Sequence, residues 1–339
     1  MKTSASLAEI AWRTPEEREF IARNVRFHSG ETLPELRLGY TVLGNPKGAP
    51  VLVLHGTGGT GRGMLSPEFG GELFGPGQAL DAATHFIVLP DAIGHGRSSK
   101  PSDGLRTGFP RYGYEDMVDA QHRLVTEGLG LHRLRLVLGT SMGGMHAWLW
   151  GVRHPAVMDA LVPLSSQPAP MSGRNWLLRR VMADAIRNDP QWQAGQYTAQ
   201  PPGARAAWEA FNVATNGGTL AIDKAAPDRE AADRWLAALR ARAFDTDAND
   251  LLYQYEAAHD YDPSPGLDRL RAHVLAVVSA DDERNPQETG ALERAIGRLQ
   301  DTSLFVVPAS ANTCGHGTVR FAKWWSEELL KFLRSVPTA

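Results

Sequence analysis

The chain predicts a mostly parallel central α/β sheet flanked by helices, with a helical block inserted into it. Three observations carry that reading. Short runs that are apolar at every position, such as Val51-Leu52-Val53-Leu54 and Phe86-Ile87-Val88-Leu89, have the length and character of strands covered on both faces. Segments of helical period lie between such runs, the alternation expected of right-handed strand–helix–strand crossovers. From residue 168 to 262, helical stretches follow one another with no strand of comparable strength. The expected division is a sheet domain of residues 1–167 and 263–339, with 168–262 as a helical cap.

Composition narrows the class of partner. The 339 residues suffice for one large domain with an insertion, and 42% apolar with 22% charged residues lies well away from disorder. A formal net charge of -3 leaves no basic footprint, so neither nucleic acid nor an anionic membrane surface is an expected partner. Cys314 is the single cysteine and cannot form an intramolecular disulfide. Met1 to Phe20 holds no apolar run of signal-peptide length. No stretch approaches the roughly 18 apolar residues of a membrane span. A cytoplasmic enzyme is the expectation.

Taken in order, residues 24–28 and then Leu36, Leu38, Tyr40 and Val42 alternate with polar or small neighbours. They predict an antiparallel hairpin turning at Ser29-Gly30. The run 51–54 enters His55-Gly56-Thr57-Gly58-Gly59-Thr60-Gly61, a loop at a strand's carboxyl end, where open α/β sheets place ligands. This loop lacks both the Lys-Ser/Thr ending of a phosphate loop and the dinucleotide spacing, so it reads instead as an oxyanion loop. The run 86–89 leads into residues 91–99, where His95 reads as a loop-packing residue. A helix is expected over 114–127, closed by Gly128 and Gly130. Leu136-Val137-Leu138 runs into Gly139-Thr140-Ser141-Met142-Gly143-Gly144 and a helix ending near His154-Pro155, and 160–164 is a further strand. Inside the cap, helices are expected over 176–186, 204–213 and 229–244, with Trp176, Trp192, Tyr197, Trp208, Phe211, Tyr253 and Tyr255 as core. Strands resume at 274–279 and 303–307, and a last helix covers 319–333.

The chemistry concentrates at three places. Gly139-x-Ser141-x-Gly143 fits a nucleophile elbow, a strand-to-helix turn so tight that only residues without a Cβ fit two positions either side of the serine. The helix behind it aims its first amides at negative charge developing beside the hydroxyl, so the backbone N–H groups of Met142 and Thr57 are the candidate oxyanion hole. A serine hydroxyl is a poor nucleophile without a base. His316, in a glycine-flanked loop before the last helix, is the candidate. A carboxylate must then hold the imidazole tautomer. Asp281 and Asp282 compete for that part, because neighbours on an extended segment point opposite ways, and Glu283 is a distant third. Cys314 reads as a loop thiol, since nothing places it on an elbow. The eleven histidines show no HxH or HxxxH pair, and no dinucleotide motif appears, so no metal or cofactor is expected.

The order Ser…Asp…His is that of the α/β-hydrolase fold, and the chain resembles the homoserine O-acetyltransferase branch of that superfamily. The matching pieces are Leu73-Phe74-Gly75-Pro76-Gly77, Asp116-Met117-Val118-Asp119-Ala120-Gln121, the elbow with Met145 and Trp150, the cap stretch from Ala185 to Trp192, Asp247-Ala248-Asn249 and Asp260-Tyr261-Asp262. The resemblance implies Ser141 as nucleophile, His316 as base, and Asp282 as acid, because the family acid stands four residues before a proline, here Pro286. It puts the oxyanion loop on His55-Gly56-Thr57, and it implies a homodimer. Two departures matter. The family histidine is followed by an aspartate that recognises the homoserine amino group, and here Gly317 follows. The family's Gly-Gly-Cys-type loop is replaced by Ile93-Gly94-His95-Gly96-Arg97-Ser98, which looks like the loop of general ester hydrolases.

Homoserine thus loses its main handle. The expected activity is hydrolysis of a small or medium carboxylic ester through an acyl-enzyme, with an acyl-CoA-dependent O-acyltransferase using the same triad as the alternative. A binding protein on this scaffold would be expected to lack one of the three side chains, and all three are present.

Overall fold

A computed structural model describes residues 14–337; the first thirteen residues of the Met1–Phe20 reading lie outside the described residues. The chain opens with β1 (Glu16–Arg26) and β2 (Thr32–Gly44), a longer hairpin than the alternation at 24–28 predicts. It continues through β3 (Ala49–Leu54), β4 (His85–Pro90), helix α1 (Tyr114–Arg123), β5 (Leu134–Thr140), α2 (Met142–Arg153) and β6 (Met158–Leu164). Five helices follow: α3 (Gly173–Arg187), α4 (Pro202–Thr215), α5 (Thr219–Ala225), α6 (Arg229–Arg240) and α7 (Ala248–Glu256). The chain then returns through β7 (His273–Ser279), α8 (Ala291–Ile296), β8 (Thr302–Val307) and α9 (Ser326–Ser335). Among the described residues the strands form one sheet in the order β1-β2-β4-β3-β5-β6-β7-β8. The β1–β2 and β2–β4 pairs are antiparallel and the others parallel. No described helix is long and apolar enough to cross a membrane.

The all-apolar runs have a simple cause. Successive strand residues face opposite sides, and both sides are covered. Leu52 and Leu54 of β3 enter the core beneath α1 and α2, while Val51 and Val53 enter the core beneath α9. β7 divides in the same way, Val274, Ala276 and Val278 to one side and Leu275 and Val277 to the other. Because every strand of the parallel portion ends at the same edge, the loops after β3, β5, β7 and β8 meet there.

The helices between β6 and β7 have an apolar cluster of their own, built from Met182 and Ile186 of α3, Phe211 of α4, and Leu251, Leu252 and Tyr255 of α7. Tyr253 of α7 joins the sheet core instead, so α7 ties this helical block to the sheet. Several element ends differ from the periodicity. The helix expected over 114–127 is α-helical only to Arg123 and finishes as a π turn over Leu124–Gly128. The one expected over 229–244 stops at Arg240. The last helix begins at Ser326 rather than 319, because Phe321 is extended and 3₁₀ turns occupy Gly315–Arg320 and Ala322–Trp324. Burial of Trp325 against Phe69, with its indole N–H donating to the Val319 carbonyl, takes precedence over helical continuity.

The polar motif residues turn out to be pins between distant segments. Asp116 accepts from the backbone N–H groups of Gly113 and His28, both at 2.8 Å. Asp260 accepts from those of Tyr114 (2.8 Å) and Glu115 (3.1 Å), capping α1 from the far side of the inserted helices. Asp247 caps α7 and accepts from the Tyr197 hydroxyl at 2.6 Å. The Gln121 amide oxygen accepts from the Trp150 indole at 3.0 Å. Asp260→Ala removes a tertiary acceptor at the start of α1 and leaves two helix amides without that partner. It is expected to lower the stability measured by urea denaturation by about 1–2 kcal/mol.

Candidate active site

Three backbones crowd together where β5 turns into α2. A Cβ on Gly139 would stand 2.1 Å from the Gly143 carbonyl oxygen, and one on Gly143 would stand 2.2 Å from that of Leu54. Between them Ser141 takes φ 53° and ψ -110°, a sparsely populated conformation for a residue with a side chain, costing about 1–3 kcal/mol. That turn aims the hydroxyl outward at the loop edge while α2 runs back into the core, buried from Met142 to Val152.

The loop after β8 brings His316 to this hydroxyl. Its Nε2 lies 2.8 Å from Ser141 Oγ, and its Nδ1 lies 2.9 and 3.0 Å from the two oxygens of Asp282. A carboxylate is an acceptor only, so Nδ1 carries the proton and Nε2 is left to accept from the serine. Burial lowers the imidazole pKa, with the Asp282 charge opposing that effect in part. Burial alone would raise the Asp282 pKa; the His316 charge and hydrogen bond, with hydrogen bonds from Asn285, outweigh it and hold the carboxyl at about 2. At neutral pH the arrangement is a neutral imidazole braced by a carboxylate.

Ser141 and His316 open into a cavity of about 410 Å³. Its sheet side is formed by Gly56, Thr57, Thr140 and Gly317, and its roof by Trp208, Asn212 and Asn216 of the α4 region with Leu251, Gln254 and Tyr255 of α7. Met142 opens α2, so its N–H has no acceptor within the helix. Trp208 and Tyr255, read from the sequence as core, both face this space.

A family model for the alpha/beta hydrolase fold matches residues 49–309. The chain belongs to that family. Among curated relatives, homoserine O-acetyltransferase of Thermobifida fusca is 35% identical over 213 residues, covering 56% of each chain. The chain spans about half the length of such relatives. Among solved structures, homoserine O-acetyltransferase from Bacillus anthracis superposes with a TM-score of 0.84 at 20% identity, covering 96% of this chain and all of that one. An acetylester hydrolase from Corynebacterium glutamicum gives 0.80 at 19% identity, covering 94% and 96%. At these identities the structural likeness speaks for the fold alone.

In this α/β-hydrolase the acidic triplet after β7 is divided among three tasks. Asp282 faces His316. Asp281 points the other way, accepting from the Ser279 hydroxyl, from Thr313 Oγ1 at 2.7 Å and from the Gly315 N–H at 3.3 Å. Glu283 accepts from the backbone N–H of His316 and from that of Gly218, both at 2.8 Å. All three therefore grip the histidine loop. Asn285, which the sequence reading passed over, donates to Asp282 Oδ2 (3.1 Å) and to the Ser165 carbonyl (2.9 Å). The backbone N–H groups of Arg284 and Asn285 reach Asp282 Oδ1 at 2.9 and 3.0 Å.

The loops after β3 and β4 have a frame of their own. Asp91 accepts from the N–H groups of Gly61 (2.7 Å) and Arg97 (2.9 Å), joining the loops after β3 and β4. His55 Nδ1 donates to the Gly56 carbonyl at 2.9 Å, and its Nε2 accepts from the Ala92 N–H at 3.0 Å. His95 is buried with its ring 5.0 Å from that of His55 and Nδ1 on the Ile93 carbonyl. Burial, reinforced by His55, lowers its pKa to about 3, so it stays neutral. Cys314 is half-buried, and burial raises its thiol pKa. Among the described residues no group of three or more His, Cys, Asp or Glu side chains is gathered as metal ligands would be.

The two glycines that flank functional positions should respond differently to the same change. At Gly143 a methyl group runs into the Leu54 and His55 carbonyls, whereas at Gly317 it meets nothing within 4 Å. Gly143→Ala should cost about 3 kcal/mol or more and Gly317→Ala no more than about 0.5 kcal/mol, read from denaturant midpoints.

Proposed function

We propose that the protein is a serine hydrolase that cleaves a small or medium carboxylic ester, with residues 168–262 as a cap over the site. The observation that carries this reading is the unbroken hydrogen-bond line from Asp282 through His316 to Ser141, opening into a cavity. Ser141 Oγ attacks the ester carbonyl carbon as its proton passes to His316 Nε2. The oxyanion forms against the backbone N–H groups of Thr57 and Met142, each worth roughly 10²–10³ in rate. Asp282 stabilises the imidazolium and holds its tautomer without taking the proton. Collapse of the tetrahedral intermediate breaks the C–O bond, and the leaving alkoxide takes the proton from His316. Water, deprotonated by the same nitrogen, then attacks the acyl-serine; the acid leaves and Ser141 regains its proton.

An O-acyltransferase would use the same acyl-enzyme and pass it to an alcohol, as the names of the curated relatives suggest. What favours hydrolysis is Gly317: the position after the base offers no carboxylate for an amino alcohol's ammonium.

Turnover of 4-nitrophenyl acetate without an added alcohol tests the choice. Steady release of nitrophenol supports the hydrolase, and a burst that resumes only when homoserine or another small alcohol is added supports the transferase. Ser141→Ala should lower turnover by about 10⁶. Asp282→Asn should lower it by about 10⁴, and Asp281→Asn by roughly a hundredfold less than that; the opposite ranking would reassign the acid. Because protonated His316 cannot accept the serine proton and burial lowers its pKa from 6.5, activity should fall only as pH drops below about 6.5.

A further inference from the structure

Two guanidinium groups lie where the inserted helices meet the sheet, one against Tyr255 and one against Phe211. Arg179 of α3 is buried, with its Cζ 5.2 Å from the Tyr255 ring. Arg284, two residues past Asp282, stands over the face of Phe211 at 4.6 Å, and Phe211 meets Tyr255 edge-on at 5.0 Å. Arg284 Nε donates to Thr215 Oγ1 at 3.2 Å, and Nη2 lies 2.9 Å from the Asn216 amide, which can turn its oxygen toward it. Arg179 bonds to Asn175 and to the Tyr255 carbonyl, and its Nη2 is buried with no partner among the described residues.

Neither arginine pairs with a carboxylate among the described residues. The two acids beside Arg284 in the chain are committed elsewhere, Asp282 to His316 and Asn285, Glu283 to the N–H groups of His316 and Gly218. A cation drawn out of water without a counter-ion is costly, fully for the buried Arg179 and in part for the half-buried Arg284. Burial lowers the Arg284 pKa to about 10, so it remains charged at neutral pH. Its position also works against the proposed reaction, since a cation near His316 opposes the imidazolium that must form there. A ligand that brings a negative charge to Arg284 offsets both of its costs. Arg284 lines the cavity of Ser141, so such a ligand could be the substrate itself.

We propose that Arg284 recognises a carboxylate carried by the ester, making this a hydrolase of anionic esters. The assignment rests on the ester-hydrolase reading and deepens it. The N–H groups not used on Thr215 and Asn216 are available for a charge-assisted contact, and Trp208 and Phe244, which line the same cavity, supply apolar surface for the carbon chain between carboxylate and ester.

The test compares near-isosteric pairs. On the acyl side the pair is 4-nitrophenyl butyrate and mono-4-nitrophenyl succinate; on the alcohol side it is ethyl acetate and acetoxyacetate. The expected result is an anionic member favoured at least about tenfold in kcat/KM in one pair, which also tells which half of the substrate bears the carboxylate. Arg284→Met should abolish or reverse that preference and Arg284→Lys should retain part of it. With the anionic ester, the acid limb of kcat should also lie at higher pH than that of kcat/KM for the neutral ester, because the bound carboxylate offsets the cation beside His316. A neutral preference in both pairs, or a ratio that Arg284→Met leaves unmoved, overturns the assignment. Should Arg284→Met not fold, thermal shift of Ser141→Ala protein with monomethyl succinate and with methyl butyrate decides: a larger stabilisation by monomethyl succinate upholds it, and equal shifts overturn it. If the wild type turns over none of these esters, the hydrolase reading fails, and the same monomethyl succinate measurement still decides the subsite.

Discussion

The approach of three backbones at the elbow is the constraint on which the rest depends. Gly139 is the next-to-last residue of β5, Gly143 belongs to the first turn of α2, and the Leu54 carbonyl comes from the neighbouring strand, with no room for a Cβ between them. This contact sets the angle at which α2 leaves the sheet. A helix leaving at that angle is buried through Val152 and needs large apolar side chains on several faces, which Met145, Trp148 and Trp150 supply. The same contact forces Ser141 into its strained conformation. Stability supplied by two apolar cores thus sustains a local strain at the place where chemistry is proposed.

Opposite the elbow, the structure solves a different problem: holding a histidine on a glycine-bearing loop. Gly315-His316-Gly317 has little side-chain packing of its own, so polar contacts must position it. The three successive acids after β7 do so from three directions, one on the ring, one on the Thr313–Gly315 side and one on the His316 backbone. Only the first hydrogen-bonds the imidazole ring itself. Asn285 and two backbone N–H groups in turn fix the Asp282 carboxylate, so its orientation is determined before any substrate arrives.

Much of this was legible in the chain because its causes are local. Strands that feed two cores are apolar at every position, and a turn with no space for a Cβ displays glycines at fixed spacing. Where Asp282 faces was less legible, since period-two geometry separates Asp281 from Asp282 without saying which one turns inward. Asn285 and Arg284 were not legible as site residues, and Glu283, a distant third for the acid, was not legible as a backbone anchor, because their partners lie far along the chain, at Ser165, Thr215 and Gly218. The start of the last helix was misplaced for a similar reason: the burial of Trp325 against Phe69 is a tertiary contact that periodicity cannot register.

One carboxylate reaches across two parts of the molecule. Glu283 holds the Gly218 N–H of the inserted helices with one oxygen and the His316 N–H with the other, and the Gly217 N–H bonds the Cys314 carbonyl of the same loop. Cover and base therefore share a fastening. Lifting the segment around Gly217 would break two of the contacts that hold the histidine loop, so on the proposed reading an opened site would also be a disarmed one.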